Sequence, residues 1–261
     1  MPTINSNGCA INVVIEGPEN APVLMLSNSL GTTHAMWQPQ VEAFKQHFRL
    51  LRFDRRGHGG SGVAKGPYTM EGLARDALAV LDGLGFKKVN WCGLSMGGME
   101  GMWLGANAPE RFERIVLSNT SSHFPDRKMW DDRLRFAREN GLAAMVGANM
   151  ERWFTSGFRE REPKAIAWMS EMFGATPLEG YIACGEAVRD MDHRALLPNI
   201  KVPTLVIAGR HDPATTLQAG EYLRDHIPGV AFTVLEAAHI SNVEQPVAFS
   251  NAVLEFLLQR H

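Results

Sequence analysis

The chain has 261 residues, of which 45% are hydrophobic and 21% charged, and it carries a formal net charge of −2. This length and composition are typical of a globular protein with a large core, in one domain or in one domain with an insertion. The near-neutral charge, without a basic cluster, argues against nucleic acid as a partner, and no apolar run approaches the length of a membrane span.

The cysteines and the N-terminal segment indicate a reducing compartment. The chain has three cysteines, Cys9, Cys92 and Cys184. Their odd number and wide spacing argue against a disulfide framework. The segment Met1–Gly8 lacks the charged and apolar regions of a signal peptide. We therefore expect a cytoplasmic protein. Neither C-x-x-C nor H-E-x-x-H occurs in the chain, so the sequence predicts no metal site.

Short apolar runs alternate with helical patterns through the first 119 residues. Val23–Ser27 is continuously apolar up to its last residue, as expected of a strand buried on both faces, whereas Thr69–Leu84 has apolar residues at helical spacing. The alternation predicts a doubly wound, mostly parallel α/β sheet. The other predicted strands are Ile11–Glu16, Leu50–Phe53, Val89–Cys92 and Ile115–Ser118, and the other predicted helices are Trp37–His47 and Met99–Asn107.

Residues 120–198 have a different character, because strand-like runs disappear and nine arginines stand against two lysines. We expect a helical lid over a core of residues 1–119 and 199–261. The alternative is an extra helical layer that only stabilises the sheet. The predicted helices of this insertion are Trp130–Asn140, Gly141–Phe154, Lys164–Phe173 and Leu178–Met191. The alternation then resumes with strand Thr204–Gly209, helix Leu217–His226, strand Phe232–Leu235 and helix Pro246–Gln259.

The segment Gly93–Gly98, of sequence GLSMGG, lies between a predicted strand and a predicted helix. A G-x-S-x-G pattern in this context is typical of a nucleophile elbow, a sharp turn that exposes a serine at the edge of the sheet. The backbone of such a turn is strained, and a side chain at Gly93 or Gly97 would collide with neighbouring backbone. Ser95 is therefore the predicted nucleophile. The alternative is a glycine-rich turn of an ordinary parallel α/β protein.

A serine nucleophile needs a base and a residue that orients the base. Asp212 and His239 each follow the end of a predicted strand, in the chain order serine, acid, histidine. Because the carboxyl ends of parallel strands meet at one edge, the three can converge. His211 is a weaker base, since adjacent residues after a strand point apart, and His58 in its glycine-rich turn is expected to be hydrogen-bonded and structural. Surface or local capping roles are expected for His34, His47, His123, His193, His226 and His261.

Two backbone N–H groups would complete the site by stabilising an oxyanion. The N–H of Met96 lies at the start of a helix, where negative charge is favoured. The second donor is expected from Leu30, in the small-residue loop that follows the Val23–Ser27 strand.

In these features the chain resembles members of the α/β-hydrolase superfamily over its whole length. Within it, the segments Ser27–Gly31 and Glu151–Thr155 resemble the 3-oxoadipate enol-lactonases. Many relatives have His-Gly where this chain has Asn28-Ser29, a departure that leaves the backbone donor in place. The motifs that carry the superfamily resemblance are Ser27–Thr32, Arg56–Ser61, Gly93–Gly98 and Pro203–Gly209, with Asp212 and His239.

The resemblance implies an α/β-hydrolase fold that opens a small anionic lactone, 3-oxoadipate enol-lactone, through an acyl-enzyme on Ser95 without cofactor or metal. An anionic substrate needs a cationic receptor, for which the planar fork of arginine is suited. Arg133 is the candidate, three residues from Trp130 on one predicted helix face, with Trp153 nearby in the insertion. Most arginines of the insertion are expected in solvated ion pairs, and Arg152 is an alternative receptor.

Other activities are compatible with the same triad. A broad carboxylesterase, a cofactor-free perhydrolase and a hydrolase of carbon–carbon bonds would each use a serine, a histidine and an acid. A dehalogenase or epoxide hydrolase is disfavoured, because those relatives place aspartate at the elbow. A non-catalytic ligand-binding protein on the same fold is the alternative from another class, and an intact triad argues against it.

Overall fold

The computed structural model describes residues 3–259. The predicted core extends over residues 1, 2, 260 and 261 as well, and these four, with the predicted role of His261, lie outside the described residues. Over the described residues the chain forms one eight-stranded sheet and eleven α-helices. The strands are β1 (Thr3–Ser6), β2 (Cys9–Glu16), β3 (Val23–Ser27), β4 (Arg49–Phe53), β5 (Val89–Leu94), β6 (Phe112–Ser118), β7 (Thr204–Gly209) and β8 (Ala231–Leu235). The helices are α1 (Gln38–Phe44), α2 (Met70–Gly83), α3 (Met96–Asn107), α4 (Arg127–Asn140), α5 (Val146–Trp153), α6 (Ser156–Arg161), α7 (Pro163–Gly174), α8 (Leu178–Asp190), α9 (Leu217–His226), α10 (Ser241–Glu244) and α11 (Pro246–Leu257).

The sheet has the strand order β1-β2-β4-β3-β5-β6-β7-β8. All pairs from β4 through β8 are parallel, whereas β2 pairs antiparallel with both β1 and β4. The predicted doubly wound, mostly parallel sheet is confirmed. Every residue of β5 and of β7 is buried, as expected where helices cover both faces of a parallel sheet. The carboxyl ends of β3, β5, β7 and β8 therefore meet at one edge.

Three short elements were not predicted from the sequence. Strand β1 has four residues, and helices α6 and α10 have six and four. None is long enough to show a hydrophobic period. The hairpin between β1 and β2 nevertheless carries an Asn7-Gly8 turn with positive φ at both residues, the usual signal for a two-residue hairpin loop.

Residues 120–198, here called the cap segment, connect β6 to β7 and contain α4 to α8. The two ends of the segment run side by side, because the N–H of His193 donates to the carbonyl of Ser122 over 2.7 Å and His123 forms an antiparallel bridge with Asp192. Among the described helices, none is both long enough and apolar enough to cross a membrane.

The turn between β5 and α3 leaves no room for side chains at its glycines. A Cβ on Gly93 would lie 2.1 Å from the carbonyl oxygen of Gly97, and a Cβ on Gly97 would lie 2.2 Å from that of Ser27. Backbone atoms cannot move aside as a flexible side chain can. The collision predicted from the sequence is confirmed.

Replacing Gly97 by alanine is therefore expected to destabilise the protein by about 3 kcal/mol or more, because the added methyl must displace backbone. The matched control is Gly147→Ala on α5, where an added Cβ meets nothing within 4 Å and helix propensity favours alanine. Urea denaturation of both variants measures the difference. Equal stability of the two variants would contradict the close approach.

Candidate active site

Ser95 occupies the turn between β5 and α3 in a left-handed backbone conformation, with φ 57° and ψ −111°. Its N–H donates to the carbonyl of Ser118 over 2.9 Å, and its own carbonyl accepts the hydroxyl of Thr120 over 2.7 Å. Both partners belong to β6 or to the residues just after it. The neighbouring strand therefore holds the strained turn on both sides of the serine.

The structure brings the three predicted triad residues together. His239 Nε2 lies 2.9 Å from Ser95 Oγ, and His239 Nδ1 lies 2.8 Å from Asp212 Oδ2. Asp212 follows β7 and His239 follows β8, so both reach the sheet edge at which Ser95 lies. This is the geometry of a serine with a base and an orienting carboxylate. The catalytic roles of the three residues stay a prediction.

Asp212 is buried but extensively hydrogen-bonded. Its Oδ1 accepts the N–H groups of Ala214 and Thr215 over 2.8 and 3.0 Å. Its Oδ2 accepts Thr215 Oγ1, Asn119 Nδ2 and His239 Nδ1 over 2.7, 3.1 and 2.8 Å. Burial alone would raise the pKa of Asp212, but attraction to His239 and the hydrogen bonds from His239 and Thr215 outweigh it and hold the pKa below its usual value. The carboxylate is thus ionised at neutral pH.

Asn119 and Thr215 contact the triad but were not found by sequence reasoning. Thr215 had a local signal, because it lies three residues after Asp212, the spacing at which an aspartate side chain caps a turn. Asn119 had only its position directly after a strand, which many residues share.

The loop after β8 is tied to the cap segment. The N–H of Ile240 donates to the carbonyl of Trp153 over 3.1 Å. The buried carboxylate of Glu244 accepts the N–H of Ala238 over 2.8 Å and the N–H of Thr155 over 3.2 Å. The predicted base and the predicted aromatic contact of the cap segment are thereby fixed relative to each other.

A cavity of about 210 Å³ lies between the sheet edge and the cap segment. All predicted site residues except Asp212, which lies behind the histidine, line it. From the core it is lined by Leu30, Ser95, Met96 and His239, and from the cap segment by Trp130, Arg133, Arg152 and Trp153. Among the described residues, no three His, Cys, Asp or Glu side chains are grouped as metal ligands.

The two predicted oxyanion donors, Leu30 and Met96, both face this cavity. Within residues 3–259 neither N–H has a hydrogen-bond acceptor, and Met96 is the first residue of α3, where none exists inside the helix. The carbonyl of Asn28 accepts the N–H of Gly97 over 3.1 Å and Arg55 Nη2 over 3.0 Å, which fixes the loop after β3 against the turn. Both N–H groups can therefore donate to a ligand, and their catalytic role stays a prediction.

His58 supports the same loop from inside the protein. It is fully buried, and its Nε2 accepts the N–H of Gly31 over 3.0 Å, so its predicted structural role is confirmed. Burial and the neighbouring Arg55 guanidinium lower the pKa of His58 to about 3. The ring is neutral at physiological pH and keeps the lone pair that Gly31 needs.

Arg133 is positioned by neutral groups. Its Nε donates to the Tyr181 hydroxyl over 2.7 Å and its Nη2 to Asn149 Oδ1 over 2.8 Å, and its guanidinium carbon lies 5.5 Å from the Trp130 ring centre. Among the described residues no carboxylate pairs with it. Nη1 and one Nη2 hydrogen remain for a ligand. The side chain thus presents an uncompensated positive charge beside the cavity.

The other histidines considered from the sequence are not among the residues that line the cavity. His211 is exposed, and its Nε2 lies 3.1 Å from Glu236 Oε2. Asp54 is buried and accepts both the N–H and the ring nitrogen of His34. The surface or capping role expected for His193 is wrong, because this residue is only 7% exposed. It lies where the two ends of the cap segment run side by side. Burial lowers its pKa to about 4.

This chain is similar to several known proteins. A family model described as alpha/beta hydrolase fold matches residues 22–156. The 3-oxoadipate enol-lactonase 2 of Acinetobacter baylyi is 41% identical over 251 residues, 96% of this chain and 94% of that protein. The crystal structure of the enol-lactonase from Burkholderia xenovorans LB400 superposes with a TM-score of 0.97 at 44% identity, covering 99% of this chain and all of that one. A putative carbamate hydrolase of Agrobacterium fabrum is 29% identical over 91% of this chain and 94% of its own length.

The two buried histidines predict a pH-dependent stability. Between about pH 4.5 and 6.5 the unfolded chain binds protons at His58 and His193 that the folded chain does not, so the free energy of unfolding falls as the pH falls. Each histidine contributes a slope of at most about 1.4 kcal/mol per pH unit. His58→Gln, which retains an acceptor for Gly31, should remove about half of this slope. Urea denaturation across the range tests it, and an unchanged slope in the variant would contradict it.

Proposed function

Since the chain belongs to the α/β-hydrolase family and, within it, to the 3-oxoadipate enol-lactonases, we propose that it opens 3-oxoadipate enol-lactone to 3-oxoadipate in the β-ketoadipate pathway of aromatic catabolism. The contact chain from Ser95 Oγ through His239 to Asp212, at 2.9 and 2.8 Å, carries this proposal. It supports acyl transfer. The uncompensated charge of Arg133 beside it supports an anionic substrate.

The reaction begins when His239 Nε2 takes the proton of Ser95 Oγ as that oxygen attacks the lactone carbonyl carbon. Asp212 keeps the proton on Nδ1 and stabilises the imidazolium that forms. The N–H groups of Leu30 and Met96 donate to the oxyanion of the tetrahedral intermediate, and each such donor contributes about 2.7–4 kcal/mol. When the intermediate collapses, the ring C–O bond breaks and the proton on His239 passes to the leaving enol oxygen, which leaves His239 neutral again. The released enol then tautomerises to a ketone.

The opened chain then remains attached to Ser95 as an ester. His239 takes a proton from water, whose oxygen attacks the ester carbonyl through a second tetrahedral intermediate. The same two N–H groups stabilise its oxyanion. The proton on His239 passes to the departing Ser95 oxygen, which restores the enzyme and releases the product.

The acetate side chain of the enol-lactone needs a partner in the cavity. Arg133 is oriented by Tyr181 and Asn149 through two of its five N–H groups, which leaves donors for a bidentate contact. The Nε1–H of Trp130 is buried without an acceptor among the described residues, so a substrate oxygen would satisfy it. Trp153 supplies an apolar wall of the same cavity.

The cap segment acts in this proposal as a lid, residues 120–198, over a core of residues 1–119 and 199–261. Seven residues of the segment line the cavity, which supports a role in substrate recognition beyond stabilising the sheet. The buried, unpaired thiols of Cys9, Cys92 and Cys184 suit a reducing cytoplasm. A broad carboxylesterase would use the same triad, but the unpaired Arg133 favours an anionic substrate over neutral esters.

Ser95→Ala tests the nucleophile. We expect the fold to be retained and kcat for the enol-lactone to fall by about 10⁴-fold or more, because no acyl-enzyme can form. Steady-state assays and labelling of the wild type with a fluorophosphonate serine probe measure this. Turnover within about tenfold of wild type, in a preparation free of other esterases, would remove Ser95 from the mechanism.

Arg133→Ala tests the anion receptor. A charge-assisted hydrogen bond contributes about 1.5–3 kcal/mol, so kcat/KM for the anionic lactone should fall about ten- to a hundredfold more than that for a neutral lactone of similar size. Arg133→Lys should recover only part, because an ammonium cannot reproduce the planar fork. Arg135→Ala is the matched control on the same helix, where the exposed arginine pairs with Asp132 over 2.7 Å. Equal losses on both substrates would instead indicate disturbed packing of the cap segment.

A further inference from the structure

Asn119 has a backbone conformation that calls for an explanation. Among the described residues, Asn7, Ser95 and Asn119 are the non-glycine residues with positive φ, at 48°, 57° and 42°. Asn7 forms the hairpin turn between β1 and β2, and Ser95 forms the elbow. Asn119 follows β6 directly and is only 1% exposed. A left-handed residue in the interior costs free energy and persists only where its surroundings impose it.

The side chain of Asn119 joins two parts of the site. Its Nδ2 donates to Asp212 Oδ2 over 3.1 Å and to the carbonyl of Ala238 over 3.0 Å, and its Oδ1 accepts the Ser241 hydroxyl over 2.5 Å. A carboxylate and a carbonyl only accept, so the amide can have one orientation. Its N–H donates to the carbonyl of Ile207 in β7 over 2.8 Å, which fixes the backbone as well.

We propose that Asn119 is a positioning residue that sets the acid Asp212 and the loop of the base His239 relative to each other and to Ser95. A single amide group bonds the acid and the carbonyl of the residue that precedes the base. The flanking residues Ser118 and Thr120 hold the N–H and the carbonyl of Ser95. The tripeptide 118–120, which begins at the last residue of β6, therefore contacts Ser95, Asp212 and the residue before His239. The inference rests on the proposed function, since it assigns Asn119 a role in that mechanism.

The contacts predict an effect on turnover rather than on substrate binding. Asn119 does not line the cavity, so its removal leaves the substrate contacts in place. Without its amide, Asp212 Oδ2 keeps Thr215 and His239 as partners but loses the bond that links it to the backbone beside the base. The serine–histidine contact is then less often in reacting geometry, which lowers the rate of proton transfer and hence kcat.

Asn119→Gly separates this role from a structural one, because glycine accepts positive φ without strain and lacks the amide. We expect kcat to fall about ten- to a hundredfold with KM within about threefold of wild type. The second-order rate at which a fluorophosphonate probe labels Ser95 should fall by the same factor. Asn7→Gly is the matched control, the same substitution at another left-handed asparagine far from the cavity, and it should retain wild-type kinetics.

Ser241→Ala is the second variant, since it removes the hydrogen bond to Asn119 Oδ1 and leaves the amide itself in place. We expect kcat to fall about three- to tenfold with KM unchanged. Wild-type kcat in both variants, or in Ser241→Ala alone should Asn119→Gly fail to fold, overturns the role of Asn119. A loss confined to KM also overturns it. Ser95→Ala, measured alongside, distinguishes a failure of this inference from a failure of the proposed function. If Ser95→Ala is inactive, a negative result concerns Asn119 only. If Ser95→Ala is active, the mechanism is overturned and this inference with it.

Discussion

The contact between the first turn of α3 and the end of β3 determines where the active site can form. A Cβ on Gly97 would lie 2.2 Å from the carbonyl oxygen of Ser27, and the Gly97 N–H donates to Asn28 over 3.1 Å. This contact joins the turn that carries Ser95 to the loop that carries Leu30. Any larger residue at position 97 would separate the nucleophile from one of the two N–H groups proposed to stabilise the oxyanion.

A buried ion pair helps to hold the loop after β3 against the turn that carries Ser95. Arg55 Nε lies 2.6 Å from Glu100 Oε1, and Arg55 Nη2 donates to the carbonyl of Asn28. Such a pair adds little net stability compared with apolar side chains, but loss of one partner costs about 3–5 kcal/mol because a buried charge is left alone. Its consequence here is positional. Burial and the same guanidinium lower the pKa of His58, so that the ring stays neutral and can accept the N–H of Gly31.

The triad could be predicted from the sequence because each member lies within four residues of the end of a strand. Parallel strands have their carboxyl ends at a common edge of the sheet, so Ser95, Asp212 and His239 are expected to be neighbours. The partners of Asn119 and Arg133 could not be predicted in this way. Asn119 meets Asp212 across 93 residues and Arg133 meets Tyr181 across 48, and each contact depends on how separate segments pack. The helices of the cap segment can be recognised from the spacing of their apolar residues. The way these helices pack on the core produces no such pattern in the sequence.

In the proposed function, the charge of Arg133 connects recognition of the substrate to catalysis. A guanidinium held by a hydroxyl, an amide and an aromatic ring keeps its full charge, whereas a carboxylate partner would neutralise it. In the proposed function an anionic substrate would supply the missing partner from the cavity, and this contact would offset the cost of desolvating the charge. Because Arg133 lies on the cap segment and Ser95 on the core, a lactone that contacts both is oriented between them. The bond from Ile240 to Trp153 fixes the loop of His239 to the same cap segment. The segment proposed to recognise the substrate therefore also constrains the proposed base.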